Sequence, residues 1–380
     1  MRTRALAALA LYAALVVALP LAGLAASGAA IGPYLAFPPR TEFVPHAPFA
    51  WGPFVVLALP ACGALALFAL ALARARPRAP RPPARAFPAW GWLGIALLAA
   101  GWLLAWSEAT PPQWRRHTFT PLWLGYILVV SALSARQTGS CLLTQRTGLF
   151  FALFPASAAF WWLFEYLNQF TDNWYYLGVQ AQDDLDYLVQ ATLPFSTVLP
   201  AVISTWWWLR HWPRVETIAL TPTRLTRVAA LLALAAGAAS LAAIGLAPEA
   251  LFAMLWLAPP LVLFGLARFV VGKSLLDSLA AGDWRPLLQP ALAALVCGFF
   301  WELWNWGSLA KWHYSIPYVQ ALHVFEMPLL GYADYLPFGV ACALVADLVS
   351  RAIGSGALWP PEDDAGAASP GKNPSAGATR

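Results

Sequence analysis

Long apolar runs dominate this chain and constrain its fold more than any other feature. Ten such runs, each of about 20 residues, alternate with shorter polar segments, and a bilayer core of roughly 30 Å needs about that length for one helix. Apolar and aromatic residues make up 60% of the chain and charged residues only 11%, whereas a soluble domain carries about 25% charge. The sequence therefore predicts an all-α integral membrane protein with about ten transmembrane helices.

The apolar runs set the predicted spans. They cover residues 5–26, 51–73, 88–106, 121–133, 149–170, 193–209, 228–246, 251–271, 286–306 and 335–353. The first span, within residues 1–27, also fits a cleavable signal peptide, because Arg2 and Arg4 precede it and small residues follow it. Its run exceeds the usual signal core of about 7–15 residues, which favours a retained helix. Residues 28–353 then form one polytopic membrane domain.

Two polar stretches lie outside the spans. The Arg- and Pro-rich stretch 74–85 predicts an extended linker. Residues 354–380 are mainly Gly, Ala, Ser and Pro with scattered charges, which predicts a disordered cytoplasmic tail.

The Lys and Arg residues predict the orientation of the chain. Nineteen of the 23 fall in segments on the same side as the amino terminus, and cytoplasmic loops carry such an excess. We therefore predict a bacterial inner-membrane protein with both termini cytoplasmic. The net charge of +5 is spread over short loops and does not indicate nucleic-acid binding. The four cysteines have no paired spacing, so neither a disulfide framework nor a zinc site is predicted.

Two segments of the chain resemble each other. Residues 160–176 read FWWLFEYLNQFTDNWYY and residues 299–314 read FFWELWNWGSLAKWHY, and Pro-Phe follows each at 194–195 and 337–338. The matching pairs are Glu165 with Glu302, Asn168 with Asn305, Trp174 with Trp312, and Tyr176 with Tyr314. This pattern predicts two related helical hairpins in parallel repeat, at about 149–209 and 286–353. The alternative is a chance similarity between aromatic-rich helix ends.

Glu165 and Glu302 are the strongest candidates for chemistry. Each lies about 16 residues into its span, or roughly 24 Å at 1.5 Å per residue, and a charge inside a membrane is expensive unless it faces the bundle interior. The Asn three residues later shares the same helix face. Aromatic walls are predicted around the acids, and π-faces stabilise cations; the predicted pocket residues are Trp162, Trp174, Trp301, Trp304, Trp312, Tyr176 and Tyr314.

A second polar group comprises His313, His323 and Glu326, with Asp334 close behind. His323 and Glu326 would share a face if the segment were helical, and either His313 or His117 would complete a three-ligand metal site. Histidines beside Trp, Tyr and Gln at a membrane interface more often only form hydrogen bonds. We therefore predict no metal or other cofactor, with these three residues as weak candidates for a metal site and Glu326 as a further candidate acid.

Four strings carry a resemblance to known proteins: HTFTPLWLGYI (117–127), FWWLFEYLN (160–168), NWYY (173–176) and FEMPLLGYADYLPFG (325–339). Over about residues 85–353 the chain resembles a family of uncharacterised bacterial polytopic membrane proteins, which implies a membrane location and no particular activity. It is more distantly similar to the transmembrane lycopene-cyclase type, which is built from helical hairpins with a Pro-apolar-acidic-acidic motif. Ser196-Thr197 and Gly339-Val340 stand where that motif has its acidic pair, so cyclase-like chemistry would have to use Glu165, Glu302 or Glu326.

These observations predict an enzyme that modifies an apolar lipid, of isoprenoid or carotenoid type. Glu302 would be the general acid and Glu165 its partner carboxylate, and Asn168 and Asn305 would orient the two acids. Membrane lipids are the predicted partners. Two other classes stay open: a lipid or ion and proton carrier that uses the same acids as a relay, and a structural or assembly protein in which the Glu–Asn pairs join helices.

Overall fold

The computed structural model describes residues 1–76 and 84–360, and within these ranges ten helical segments are long and apolar enough to cross a membrane. The predicted all-α polytopic membrane fold is thus confirmed. The spans are α1 (Arg2–Ala26), α2 (Trp51–Arg74), α3 (Ala89–Trp106), α4 (Phe119–Thr138), α5 (Thr147–Thr171), α6 (Asp184–Phe195) joined to α7 (Val198–Leu209), α8 (Arg227–Leu246), α9 (Met254–Leu266), α10 (Arg285–Gly307) and α11 (Tyr335–Ile353).

Short elements connect the spans. A π-helical turn, Ala267–Val271, extends α9, and further single turns of helix are Gly32–Leu35, Pro112–Arg115, Leu142–Gln145, Val215–Thr217, Pro248–Leu251, Leu275–Ala281 and Leu329–Asp334. Four short strands form two antiparallel pairs: β1 (Trp174–Leu177) pairs with β2 (Lys311–Tyr314), and β3 (His323–Val324) pairs with β4 (Met327–Pro328). We call the side of the membrane domain that carries β1 and β2 the strand side.

The last span lies at the centre of the bundle. The span that ends in α11 is 83% buried, whereas α2 is only 6% buried, and α11 packs against α1, α9 and α10. Small residues at the contact allow helix backbones to approach closely. At Gly339 the approach is so close that an added Cβ would overlap the carbonyl oxygen of Pro290 in α10.

The sixth span begins earlier than its apolar run. The side chain of Asp183 accepts a hydrogen bond from the amide of Asp186 at 2.8 Å, which caps α6 and starts the helix at Asp184. Pro194, predicted to lie in the first turn of this span, instead lies next to the end of α6. The apolar run marked only the second part of the span, because the first turns of α6 are polar. Pro337 does lie in the first turn of α11, as predicted.

The sixth span is also broken between α6 and α7, at Ser196 and Thr197. Ser157 of α5 satisfies the backbone groups on both sides of the break. Its hydroxyl donates to the Phe195 carbonyl at 2.6 Å and accepts from the Leu199 amide at 2.9 Å. A break at membrane depth is tolerated only where such partners exist.

The segment after α11 packs against the bundle. Within residues 354–360, Leu358 and Trp359 are buried. The Trp359 Nε1 donates to Asp283 at 3.0 Å, and the Leu358 amide donates to Asp347 at 2.8 Å. Two apolar side chains and two hydrogen bonds thus hold the start of the predicted tail against the bundle. The remainder of the predicted tail, 361–380, and most of the predicted linker, 77–83, lie outside the described residues.

Replacing Gly339 by Ala should destabilise the bundle. The added methyl group meets backbone of α10 rather than a side chain that can move, and overpacking of this kind costs about 1–3 kcal/mol. We expect a lower thermal midpoint for the detergent-solubilised protein, measured by size-exclusion chromatography after heating. Gly148→Ala is the matched control, since nothing lies within 4 Å of a Cβ there. Equal midpoints for the two variants would contradict the close contact.

Candidate functional site

The β1–β2 pair brings the two similar segments together on the strand side. Its register places Trp174 opposite Tyr314 and Tyr176 opposite Trp312. Side chains alternate along a strand, so these four aromatic residues share one face of the pair. Tyr175 and His313 occupy the other face, where their rings stack with centroids 6.0 Å apart.

Asn168 and Asn305 hold the two strands. The Asn168 amide nitrogen donates to the Trp174 carbonyl at 2.7 Å, and its oxygen accepts from the Asn173 amide at 2.9 Å. Asn305 donates to the Trp312 carbonyl at 2.8 Å and accepts from the amide of the same residue at 2.9 Å. In an antiparallel pair every second residue turns its backbone groups away from the partner strand. The asparagines satisfy those groups, so the prediction that they orient the acids is wrong.

Glu165 is buried beneath β1. Its carboxylate accepts hydrogen bonds from the Tyr176 hydroxyl at 2.5 Å and from the Trp161 Nε1 at 2.8 Å. The Trp174 Nε1 donates to the same group at 3.2 Å. Only 2% of the residue is exposed. Three donors thus surround a carboxylate that burial would otherwise leave without hydrogen bonds.

Glu302 occupies the corresponding place beneath β2 and is fully buried. Its Oε1 accepts hydrogen bonds from the Tyr314 hydroxyl at 2.7 Å and the Tyr335 hydroxyl at 2.9 Å. Its Oε2 has no hydrogen-bond partner within the described residues. The Trp312 Nε1 donates to the Tyr314 oxygen at 2.7 Å and so extends the network.

The two acids share a strand tyrosine as donor and differ in their other donors. Trp174 donates to Glu165, whereas its counterpart Trp312 donates to Tyr314. Trp161 stands four residues before Glu165, whereas Gly298 stands four residues before Glu302. The Tyr335 ring fills the space beside Gly298, where a Cβ would overlap it. Tyr335 of α11 therefore donates to Glu302 in place of an indole of α10. At Glu165 the corresponding donor is Trp161, which lies on the same helix as the acid, α5.

A cavity of about 150 Å³ opens on the strand side between these networks. Tyr176, Tyr314 and Tyr335 line it, whereas Glu165 and Glu302 do not. The tyrosine side chains therefore lie between each carboxylate and the cavity. Its aromatic walls are formed by Phe119, Trp161, Trp174, Trp256, Trp301, Trp312 and Phe195, and its polar groups come from Arg116, His117, Tyr187, Gln190, Lys311 and Asp334.

The two strand tyrosines stay protonated at neutral pH. Burial, and secondly the charge of Glu165, raise the pKa of the Tyr176 hydroxyl well above its usual value. Burial and the charge of Glu302 likewise raise the pKa of Tyr314. Each hydroxyl therefore keeps a proton that it donates to its carboxylate.

Five of the seven predicted pocket residues line the cavity: Trp174, Tyr176, Trp301, Trp312 and Tyr314. Trp162 and Trp304 do not. Trp162 donates to the Thr192 hydroxyl at 2.9 Å and packs against Phe195. Trp304 is fully buried against Trp123 of α4.

The second predicted polar group forms an ion-pair network instead of a helical metal site. His323 and Glu326 lie in a hairpin of β3 and β4, with Phe325 at φ 58° in the turn, so they do not share a helix face. Glu326 accepts from the Lys311 Nζ at 2.7 Å and lies 3.2 Å from the His313 Nδ1. His323 is exposed and contacts Gln320 at 2.9 Å. Within residues 1–76 and 84–360, no three His, Cys, Asp or Glu residues lie close enough to hold a metal ion.

The cavity residues that were not among the predicted pocket residues include Trp161, Trp256, Asp334 and Tyr335. Trp161 had a usable signal, because it lies four residues before Glu165 on the same helix face. The other three come from α9 and the start of α11, and no spacing in the sequence connects these helices to the acids.

No protein family, curated protein or solved structure matches this chain.

Replacing Asn305 by Ala should destabilise the strand pair. The change leaves the amide and carbonyl of Trp312 without their side-chain partner, and such a loss costs about 1–3 kcal/mol. We expect a lower thermal midpoint in detergent, with a smaller change for Gln113→Ala, an exposed amide in the short helical turn Pro112–Arg115. A midpoint equal to that of the wild type would show that the clamp does not stabilise the fold.

Asp172, at the turn between α5 and β1, should make stability depend on pH. Burial raises the pKa of its carboxyl to about 6, although the charge of His46 opposes the shift, whereas an unfolded Asp titrates near about 3.9. The neutral form is thus favoured in the fold, so stability is full below about pH 4 and falls as pH rises through about 6.

Asp172→Asn should remove this dependence, since Asn also tolerates the left-handed backbone at φ 45°. The thermal midpoint of the variant should exceed that of the wild type at pH 7.5 and match it at pH 4. An equal difference at both pH values would rule out titration of this group.

Proposed function

We propose that this chain is a bacterial inner-membrane protein that binds the apolar end group of an isoprenoid-type lipid in the cavity and moves a proton there. One observation carries the proposal: each buried carboxylate accepts a hydrogen bond from a tyrosine that lines an aromatic cavity. A tyrosine with a carboxyl group behind it forms a path for a proton, and the indole faces favour a cation.

The size of the cavity limits what it can enclose. A cavity of about 150 Å³ holds a ligand the size of benzene, and this one has that volume. It therefore suits one ring-sized or branched end group, while the remainder of a long lipid extends through the opening. Apolar ligands of this kind reach such a site from the membrane.

Proton transfer would pass through tyrosine. The step requires protonated Glu302, with its hydrogen bond to Tyr314 reversed. The Glu302 carboxyl then donates its proton to the Tyr314 oxygen while the Tyr314 hydroxyl proton passes to an alkene carbon of the lipid. The alkene electron pair forms the new C–H bond and leaves a cation that the aromatic walls stabilise. Loss of a neighbouring C–H proton along the reverse path restores an alkene, so the product is an isomer or a ring with no change in composition. The carboxyl supplies the acidity, because the tyrosine proton alone is held tightly.

The paired contacts also support the proposed internal repeat. Glu165 and Glu302 each accept from a strand tyrosine, and Asn168 and Asn305 each clamp the strand that follows. The register of β1 and β2 relates the two strands by a pseudo-twofold axis through the Tyr175–His313 pair. We propose that the two hairpins arose as parallel copies that enclose one shared cavity.

The proposed orientation puts the strand side outside the cytoplasm. The start of α1 and the end of α11 meet on the opposite side, where the Arg351 guanidinium lies 3.7 Å from the Met1 sulfur. Most Lys and Arg residues belong to segments on that opposite side, which supports a cytoplasmic location for both ends of the described chain.

A structural role is the second candidate, and the Tyr335 contact favours it. The hydroxyl of Tyr335 in α11 donates to Glu302 in α10, so the acid also joins two central helices. If this is its whole role, Glu302→Gln should lower stability by about 1 kcal/mol, the size of an intramembrane hydrogen bond. If the protein is instead a carrier that uses the acids as a proton relay, Glu302→Gln should change neither the lipids of the cell nor the stability of the protein.

Glu302→Gln and Tyr314→Phe should each slow lipid conversion by at least about 10²-fold, the lower range for general acid catalysis. The measurement is a comparative lipid profile of the source organism without the gene, and of the same strain restored with wild type or each variant. A precursor should accumulate in the deletion and in both variant strains, and the wild-type gene should clear it.

Tyr332→Phe is the matched control, because that hydroxyl donates to the Val324 carbonyl, and Tyr332 does not line the cavity. It should restore the wild-type profile. Identical lipid profiles in all strains would sink the enzymatic proposal, and a fall in thermal midpoint for Glu302→Gln would then support the structural role.

A further inference from the structure

Asp334 is the carboxylate that reaches the cavity. It lines the cavity wall, whereas Glu165 and Glu302 lie behind tyrosines. It immediately precedes Tyr335, so it stands where the single helical turn Leu329–Asp334 passes into α11. Its side chain is only half-buried.

The Asp334 side chain is not used to cap α11. An Asp at a helix N-cap normally accepts a hydrogen bond from an amide of the first turn. Asp334 makes no such bond, because its own backbone is helical, with φ −66° and ψ −25°. Nor does any donor or cation within the described residues contact it. A carboxylate at a cavity with no partner of its own is available to a ligand.

The Lys and Arg side chains that line the cavity each have a partner, but only the partner of Lys311 carries a charge. The Lys311 Nζ lies 2.7 Å from Glu326, and the Arg116 Nε donates to the Gly178 carbonyl at 3.2 Å. Lys311 therefore adds little net charge beside its partner.

Indole rings surround the same space. Trp161, Trp256 and Trp301 all line the cavity and pack around the ring of Phe338, with centroids 5.6, 5.8 and 6.2 Å from it. Trp174 continues this wall, 5.7 Å from Trp256. Such aromatic walls are the usual surroundings of ammonium groups bound by proteins.

We infer that Asp334 and the surrounding indoles form a binding site for a positively charged end group on an apolar chain. The end group is either a permanent amine or a cation that forms during reaction, and both present the same charge to the carboxylate. The inference rests on the proposed function in one respect, since it takes the cavity as the place where a lipid end group binds.

The test is binding of N,N-dimethyldodecylamine to the purified full-length protein in non-ionic detergent at pH 8.5, where the amine is still protonated. Radiolabelled amine is displaced either by unlabelled amine or by 1-dodecanol, which has the same chain and no charge. We expect the amine to bind at least tenfold more tightly than the alcohol. Asp334→Asn should abolish this preference, and Asp334→Glu should keep it.

Asp184→Asn is the matched control, because Asp184 is exposed on the strand side, pairs with Arg40 and does not line the cavity. It should bind both probes as the wild type does. Equal binding of amine and alcohol to the wild type, or a preference that survives in Asp334→Asn, would overturn the inference. If Asp334→Asn does not yield a monodisperse protein, the wild-type comparison of the two probes decides alone.

The two kinds of cation are separated by mass spectrometry of lipids that copurify with the protein. A lipid with an amine group that copurifies more with the wild type than with Asp334→Asn indicates a permanent cation. If no such lipid copurifies but the wild type still prefers the amine probe, the cation is transient.

Failure of this inference is distinct from failure of the proposed function. A changed lipid profile without amine preference would leave the proton chemistry standing, and amine preference with unchanged profiles would leave only the binding site.

Discussion

The site depends on two asparagine side chains that take the place of neighbouring strands. A two-stranded pair at a membrane boundary has backbone donors and acceptors on both outer edges, and each needs a partner. Asn168 and Asn305 supply those partners for the residues that carry the indoles. Once β1 and β2 are fixed in register, four aromatic side chains point into the bundle, and two of them reach the acids. The clamps therefore add to the hydrogen bonds between β1 and β2 that hold this register.

The buried acids impose the second constraint. A carboxylate inside a protein of this composition needs several donors, or burial becomes unfavourable. The chain meets this need with phenol and indole groups, which bury large apolar surfaces and still carry one polar atom. The high tryptophan content therefore does more than mark the membrane boundary, because Trp161 and Trp174 donate to an acid. The same two residues line the cavity, so the side chains that donate hydrogen bonds to the carboxylate also form part of the cavity wall.

The sequence predicted the features that depend on one helix or one strand. The spans follow from apolar length, and the burial of Glu165 and Glu302 follows from their depth in a span. The shared Trp-x-Tyr pattern located four of the aromatic residues that line the cavity. The sequence did not predict that Tyr335 and Asp334 line the cavity. Their positions depend on how α11 packs against α10, and no local pattern encodes that packing.

Other errors have local physical causes. The asparagines share a helix face with the acids. The chain turns back directly after each helix, however, so the asparagines form hydrogen bonds with the backbone of the following strand instead of with the acids. Trp304 lies one turn from Trp301, but α3 and α4 cover that side of α10, which periodicity cannot show. His323 was placed on a helix because spacing alone does not reveal a hairpin turn.

The broken sixth span has a mechanical consequence. A continuous helix resists bending along its whole length, whereas α6 and α7 meet at a joint held by one serine hydroxyl from α5. Pro194, Phe195 and Val198 flank that joint and also line the cavity. A change in the angle between α6 and α7 would therefore move this part of the cavity wall, whereas a continuous helix would have to bend along its length to do the same.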